Sequence, residues 1–481
     1  MSSIKKELIS GVFYMILSKY SRIIISLVVA GVLARLIAPK DFGIVAIATV
    51  IISFFNIFSD LGIGPAIIQN KELTKENYTQ IFSFTIWQGL ILAILFFFSS
   101  WIIADFYDSA ILKTICQLLS VNLFFASVNI VPKALLYKNK EFQFIAYRSL
   151  ITQVIGGTLA VIAALMGVGL YALIINPILS SLFLFILSYW KYPQKIRITW
   201  GLESIRKIFS FSAYQFLFNV INYFSRNMDK LLIGKYMNLT ELGYYEKSYR
   251  LMMLPLQNIT YVISPVMHPI FSEFQNDPVK LAGYYEKVVR FLAFVGLPLS
   301  VFLWFDAREI TLFIFGDQWL PSVPVFQILT LSVGIQVVFS TSGSIFQAAN
   351  DTKSLFICGI FAAILNVSGM LIGIFIFKTL EAVAWCICIS FTINFIECYW
   401  WMYKYTFKQN IYTFWKQFFA PFKISILIGI SLFCISLVVD KLPIIVSLAI
   451  KSGLYICLLA GYIQWSGEYN VWKLIKSKIS K

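Results

Sequence analysis

Ala34-Arg-Leu-Ile-Ala-Pro-Lys-Asp-Phe-Gly43 and Gly234-Lys-Tyr-Met-Asn-Leu-Thr-Glu-Leu-Gly243 are two versions of one stretch. At an offset of 200 positions, Arg35 meets Lys235, Asp41 meets Glu241, Gly43 meets Gly243 and, further on, Pro65 meets Pro265. A second match stands at an offset of 210, where Lys138-Asn-Lys-Glu-Phe142 corresponds to Ala348-Ala-Asn-Asp-Thr352. Few positions agree, so the weight of the repeat rests on what surrounds it. Each copy links two apolar runs in a chain of 481 residues that is 59% hydrophobic and has a mean hydropathy of +0.80. Only 13% of residues are charged, about half the usual soluble level. At roughly 20 apolar residues per membrane span, the composition allows about fourteen spans.

The apolar segments fall near 9–36, 43–66, 80–103, 112–135, 146–167, 169–190, 208–234, 242–271, 287–313, 322–348, 354–377, 379–403, 419–439 and 443–465. They are read as helices, because backbone groups in lipid need internal partners and a barrel would show short alternating segments. Six spans separate the two motif copies, an even number, so both insert with the same orientation as a parallel repeat. The expected fold is an all-α polytopic membrane protein of about fourteen transmembrane helices. It would comprise two pseudo-symmetric six-helix bundles, at 1–190 and 208–403, joined by a linker at 191–207. Two further helices and a basic tail would occupy 404–481. Facing bundles imply a midplane cavity and alternating access.

The charge is one-sided, with 39 Lys and Arg against 23 Asp and Glu, a net +16. With the N-terminus inside, the inner connections hold about three times as many Lys and Arg as the outer ones. That bias predicts both termini on the cytoplasmic side of the membrane. Most of the basic excess then belongs to topology and to the anionic inner leaflet. Lys5 and Lys6 precede an apolar run that reaches about residue 37 and contains Lys19 and Arg22. It is too long and too charged for a cleaved signal peptide and is read as the first span.

Several classes of chemistry are excluded. The one histidine, His268, rules out His-based zinc sites and Ser-His-Asp catalysis. The seven cysteines lie in apolar stretches without a C-x-x-C pair. There is no P-loop, and no cofactor or metal is expected. Asp105 and Asp108 are a weak acidic pair in a short turn. Catalysis has little support, and the short connections weigh against a membrane glycosyltransferase or polymerase.

Charges inside spans are informative because each costs roughly 2.5–3.5 kcal/mol at a helix centre. In the first span Ser18, Arg22 and Ser26 share one face, with Lys19 adjacent. In the seventh, Asn219, Asn222, Arg226, Asp229 and Lys230 share another. The eighth holds Arg250, and the second ends on Asn56, Ser59 and Asp60. One reading is a cationic cavity in which Arg22, Arg226, Arg250, Lys19, Lys230 and Asn222 bind substrate. Cations in excess of Asp60 and Asp229 call for an anion, and a diphosphate matches arginine geometry. Asp60, Asp229 and Glu397 are candidates for ion coupling. The competing readings are structural. Lys19 and Lys230 fit snorkelling, Asp229 fits pairing with Arg226 or Lys230, and Asp60 fits an interfacial role. Lys451 and Glu397 are more simply interface charges, His268 a helix-end residue, and Gly156-Gly157 a close helix contact.

Taken in order, several stretches resemble the oligosaccharide flippases of the multidrug/oligosaccharidyl-lipid/polysaccharide superfamily. They are the run from Ala34 to Ala48 and Phe58-Ser-Asp-Leu-Gly-Ile-Gly-Pro-Ala-Ile-Ile-Gln69. Further on come Asn227-Met-Asp-Lys-Leu-Leu-Ile-Gly234 and the run from Leu242 to Pro255. The branch is that of the colanic-acid and teichuronic-acid exporters. The resemblance implies two six-helix bundles, often with two extra helices. It implies an undecaprenyl-diphosphate-linked oligosaccharide moved to the outer leaflet for surface polysaccharide synthesis. Membrane lipids, a polysaccharide polymerase and export machinery are the implied partners. Arg22 and Arg250 would meet the diphosphate. Lys230 departs from the Asn expected after the Asp of its motif, and Asn350-Asp-Thr-Lys353 departs from Gly-Asp-x-Lys. A cation-coupled drug antiporter of the same superfamily is the alternative function.

Overall fold

A computed structural model of the chain describes residues 2–197 and 213–466. Among them every regular element is helical. Asn219, Asn222 and His268 lie outside the residues whose side chains are described. The chain divides into two compact units, Met1–Gly243 and Tyr244–Lys481.

The first unit contains α1 (Ser2–Leu36), α2 (Pro39–Asp60), α3 (Ile63–Gln69), α4 (Lys75–Phe106), α5 (Ala110–Val128), α6 (Ile130–Lys138), α7 (Phe142–Leu165), α8 (Ala172–Lys191) and α9 (Ala213–Tyr236). Local signals set the boundaries. Pro39 opens α2 after an extended Ala38, where a missing N–H costs nothing. Thr74 and Asn77 form a reciprocal capping box at the start of α4. Leu61 and Gly62 adopt positive φ, which breaks one apolar run into α2 and α3. Ile63, Ile67, Ile81, Phe82, Val131 and Leu135 form the core where α3, α4 and α6 meet. Beside it the Lys138 ammonium donates to the carbonyls of Ile67 and Asn70 and to the Tyr78 hydroxyl, at 3.0, 2.6 and 2.7 Å. The Gly156-Gly157 pair is a close contact on two sides. A Cβ on Gly156 would stand 2.5 Å from Asn176 Oδ1 on α8, and one on Gly157 2.7 Å from Val29 on α1.

Helix α10 (Leu239–Ser272) runs across the division, and the second unit continues with α11 (Pro278–Phe305), α12 (Ala307–Phe315), α13 (Val323–Thr330), α14 (Val333–Phe339) and α15 (Ser342–Ala348). It ends with α16 (Thr352–Leu371), α17 (Leu380–Trp401), α18 (Tyr412–Lys416), α19 (Phe419–Val439) and α20 (Ile444–Ser466). Phe294, Ile424, Ile428 and Leu432 form a core on which Leu454 and Tyr455 pack. Hydroxyls pair deep inside, Tyr285 with Tyr399 at 2.7 Å and with Thr341 at 3.0 Å.

The repeat read from sequence is present in the backbone. Helix α1 ends at Leu36 and α9 at Tyr236, while α2 begins at Pro39 and α10 at Leu239. The turns after α6 and α15 match residue for residue at the offset of 210. Lys140 and Asn350 each take a φ of 57°. Glu141 N–H donates to Leu136 O at 3.0 Å, and Asp351 N–H to Phe346 O at 2.9 Å. Both are the closing bond of a left-handed helix cap. The offset-200 copies also touch. A Cβ on Gly43 would lie 1.7 Å from the Leu239 carbonyl oxygen, and one on Gly243 2.1 Å from that of Pro39. Position 39 answers to 239 and 43 to 243, so each glycine accepts the first helical carbonyl of the other copy.

Eleven described helices are long and apolar enough to cross a membrane, and the bent pair Asp317–Thr330 and Val333–Ala348, with a 49° break, makes up to twelve. The chain is a multi-pass membrane protein, but among the described residues the expected count of fourteen is not confirmed. The two expected spans that fall short lie on α9 and α10. Arg226, Asp229 and Lys230 crowd one end of α9, and Gln257 and Asn258 interrupt α10. The ninth expected span is shifted toward the N-terminus, running Pro278–Phe305 with α12 as a separate helix.

The glycine crossing is testable. Gly43→Ala forces a methyl into the Leu239 carbonyl, and overpacking costs roughly 1–3 kcal/mol. The detergent-purified variant is expected to melt at a clearly lower temperature. Gly359→Ala, where nothing lies within 4 Å of an added Cβ, is expected to melt no lower than the parent. Equal melting of Gly43→Ala and the parent would refute the crossing.

Candidate functional site

Helix α1 sorts its residues by face. Phe13, Leu17, Tyr20, Ile24 and Val28 are exposed and apolar, and at 3.6 residues per turn they fall on one side. Ser18 is buried and its hydroxyl donates to Ala146 O on α7 at 3.3 Å. Arg22 is exposed and lies on roughly the opposite side from the apolar stripe. Lys19 is half-buried, its ammonium 6.0 Å from the Tyr20 ring centre. The polar stripe expected on this helix therefore divides, with Ser18 spent on packing and Arg22 left accessible.

Helix α9 packs against α2 in the same unit. The Tyr223 hydroxyl donates to Val50 O, and the Phe224 ring stands 4.8 Å from Phe54. At its far end the Tyr107 hydroxyl donates to Leu231 O at 3.3 Å, and Lys235 pairs with Asp108 at 3.0 Å. Between these anchors Arg226 is exposed, Lys230 half-buried and Asp229 buried. One oxygen of Asp229 accepts the backbone N–H of Lys230 at 2.8 Å. Arg22 and Arg226 thus stand on helices with different packing partners in one unit, α1 on α7 and α9 on α2.

In the second unit Arg250 is half-buried on α10. One turn before it Lys247 is 2% exposed. Its ammonium lies 4.9 and 5.4 Å from the Phe315 and Trp319 ring centres, within cation–π range. Of the ion-coupling candidates, Asp60 is exposed at the end of α2. Glu397 is half-buried with Oε2 buried and unbonded.

Two polar groupings escape sequence reading. Arg148 is 4% exposed, and its guanidinium donates to the Ser188 hydroxyl and to Leu184 O. The other joins residues far apart in the chain. The Lys451 ammonium on α20 lies 2.8 Å from Glu309 Oε1 and 2.6 Å from Asp440 Oδ1. The Ser447 hydroxyl also donates to Glu309, at 3.3 Å. Asp306, the first residue beyond the span Pro278–Phe305 and one turn before Glu309, has its side chain fully buried and neither oxygen hydrogen-bonded. Burial raises its carboxyl from 3.8 to about 7, with Lys451 opposing the rise and Glu309 and Asp440 adding to it.

The profile of a family described as polysaccharide biosynthesis protein matches residues 32–324, more than half of the chain and both copies of the glycine motif. The chain belongs to this family. Curated relatives include the teichuronic acid biosynthesis protein TuaB of Bacillus subtilis, 25% identical over 91% of this chain and 90% of that protein. The lipopolysaccharide biosynthesis protein WzxC of Escherichia coli is 24% identical over 77% of this chain and 76% of its own. The succinoglycan biosynthesis transport protein ExoT of Rhizobium meliloti is 22% identical over 83% and 81%. Among solved structures, the inward closed lipid II flippase MurJ superposes with a TM-score of 0.73, covering 94% of this chain and 98% of MurJ at 16% identity. An inward-facing multidrug resistance transporter of the multidrug/oligosaccharidyl-lipid/polysaccharide superfamily gives 0.60, covering 79% of this chain and 93% of that one at 15% identity. The family member therefore has the fold of membrane transporters.

Burial separates the cations into two groups with different expected behaviour. Lys451→Ala leaves Glu309 buried without its counter-charge, a loss of roughly 3–5 kcal/mol. Arg148→Ala removes a buried donor set. Both are expected to lower the melting temperature of the purified protein, whereas Arg22→Ala and Arg226→Ala are expected to leave it within a degree or so of the parent, since exposed positions contribute roughly ±0.5 kcal/mol. Destabilisation by Arg22→Ala equal to that by Arg148→Ala would overturn the division.

Proposed function

We propose that this chain is a flippase and not an enzyme. It carries an undecaprenyl-diphosphate-linked oligosaccharide from the cytoplasmic to the outer leaflet, for surface polysaccharide synthesis. Family membership sets the class, and the relatives named for teichuronic acid, lipopolysaccharide and succinoglycan synthesis agree on the product type.

The observation that carries the reading is Arg22. It is accessible midway along a membrane helix, on roughly the opposite side from five exposed apolar residues. An arginine facing hydrocarbon is costly, so an accessible one in a span calls for a water-filled or polar space. Arg226 is also accessible, on a helix too polar to count among the apolar spans. Guanidinium groups in such a space suit a diphosphate, which accepts paired N–H donors from each. Lys19, Lys230, Arg250 and Asn222 are assigned supporting roles toward the head group. Asp60, Asp229 and Glu397 remain the residues proposed for ion coupling.

The lipid tail needs no binding site of its own, because it stays in the bilayer while the charged head crosses. Transport then requires the head-group site to open to one side at a time. The proposal puts both termini in the cytoplasm, supported by the excess of Lys and Arg expected in the connections on that side. A polysaccharide polymerase would receive the flipped unit.

Complementation tests the site. Arg22→Ala or Arg226→Ala is expected to abolish surface glycan in a strain lacking the flippase, with membrane protein level unchanged. Arg22→Lys is expected to retain part of the export, since it keeps the charge and loses the paired donors. Full export by both alanine variants would sink the assignment.

A further inference from the structure

We infer that Asp306, Glu309, Asp440 and Lys451 form a proton-binding site in which Asp306 takes up and releases the proton and Asp440 gives access to water.

Geometry is the first reason. An Asp at the first position of a helix ordinarily turns its carboxylate onto the free N–H groups of the first turn. Asp306 occupies that position at the start of α12, yet its side chain makes no such bond. Both oxygens are buried and unpartnered, although α12 offers free donors one turn away. One turn on, Glu309 holds the Lys451 ammonium, so the Asp306 carboxyl stands within electrostatic reach of a charged cluster. An ionised carboxylate so placed has lost its hydration without gaining a hydrogen bond, which strongly favours the neutral form.

The neighbours set the direction. The turn after α19 brings Asp440, α12 brings Glu309 and α20 brings Lys451. Arg308, beside them on α12, is exposed. The charged residues of α11 stand toward its opposite end, and α13 has none. Among the described residues Lys451 is the one cation acting on Asp306, and Glu309 and Asp440 already hold it. With Asp306 protonated, carboxylates outnumber the ammonium by one. Release of the proton leaves them ahead by two in a buried place.

Access is the second reason. The Lys451 and Glu309 side chains are 1% and 6% exposed, but that of Asp440 is 50% exposed. Asp440 lies in the short turn between two spans, so the cluster has a wet end and a dry end. Three carboxyls could also suggest a metal. Among the described residues, however, no group of three acidic, Cys or His side chains is arranged to hold one. A proton needs no such arrangement.

The sign of the pH effect follows from the shift of Asp306 from 3.8 to about 7. Its pKa is raised in the folded state. The stability it contributes is thus complete below the unfolded value and is lost as pH rises toward the folded value.

The experiment uses the full-length protein purified in nanodiscs. Infrared pH-difference spectra are expected to show a carboxylic-acid carbonyl band titrating near neutral pH, absent from Asp306→Asn. The parent is expected to melt at progressively lower temperature as pH rises from 4 to 7, and Asp306→Asn to lose that slope. Should Asp306→Asn not fold, Glu309→Gln serves instead. Removing that neighbouring charge is expected to move the midpoint of the band downward. A band that persists unchanged in Asp306→Asn overturns the proposal. So does an absent neutral-range band, an unmoved midpoint in Glu309→Gln, or a sodium-dependent rise in melting temperature that Asp306→Asn abolishes.

Discussion

The closest constraint in the first unit is the contact of two glycines with two carbonyls. Gly43 takes the Leu239 carbonyl and Gly243 takes that of Pro39, at distances no Cβ could occupy. The contact is reciprocal and therefore cannot be relaxed on one side only. It fixes the start of α2 against the start of α10, and with them the ends of α1 and α9, which each stop three residues earlier. Helix α9 then lies along α2, where Tyr223 and Phe224 hold it to Val50 and Phe54. The position of Arg226, one turn beyond Tyr223, is a consequence. A residue proposed to bind substrate is thus positioned by a packing contact just beyond the end of its helix.

The second constraint is the low dielectric of a bilayer, which gives each charged side chain only a few tolerable environments. Lys138 caps backbone carbonyls, Lys247 lies against aromatic faces, Lys451 pairs with carboxylates and Arg148 meets a hydroxyl and a carbonyl. These cations have been accommodated by protein groups. Arg22 and Arg226 have not been buried in this way, so an external anion has room to approach them. The difference between a structural cation and one proposed to bind substrate is therefore one of exposure, which residue type and periodicity do not report.

That limit marks what the sequence could convey. The repeat was readable to the residue, because turns need Gly, Pro or a left-handed residue at fixed places, and both offsets recur in the helix ends and caps. The helical class was readable because apolar runs of this length admit few alternatives. The span count was less so: α9 carries three charges within five residues, and a residue tally cannot tell a polar helix from a lipid-facing one. Spacing also put Ser18 and Arg22 on one face. They differ by about 40° around the axis, enough for α7 to bury one and leave the other. The cluster around Lys451 was invisible, since Glu309 lies 142 positions away and Asp306 looks like an ordinary helix cap.

The same cluster changes how the last two helices should be regarded. Apolar contacts hold α19 and α20 to α11, through Phe294 and through the stacking of Tyr455 on Phe302 at 4.8 Å. Such contacts would tolerate some sliding along the helix axes, because dispersion is weakly directional. The bonds from Lys451 to Glu309 and Asp440 are directional, and they tie α20 to α12 at one height. In hydrocarbon or a dry interior a slip that separated these charges would leave each without water or partner, a penalty far steeper than the loss of a few apolar contacts. The ion pairs therefore set the register of the C-terminal pair, while the apolar surface supplies its adhesion. Protonation of a neighbouring carboxyl would change the charge balance of the one contact that fixes that register, which makes the helix pair the element of the second unit best placed to respond to pH.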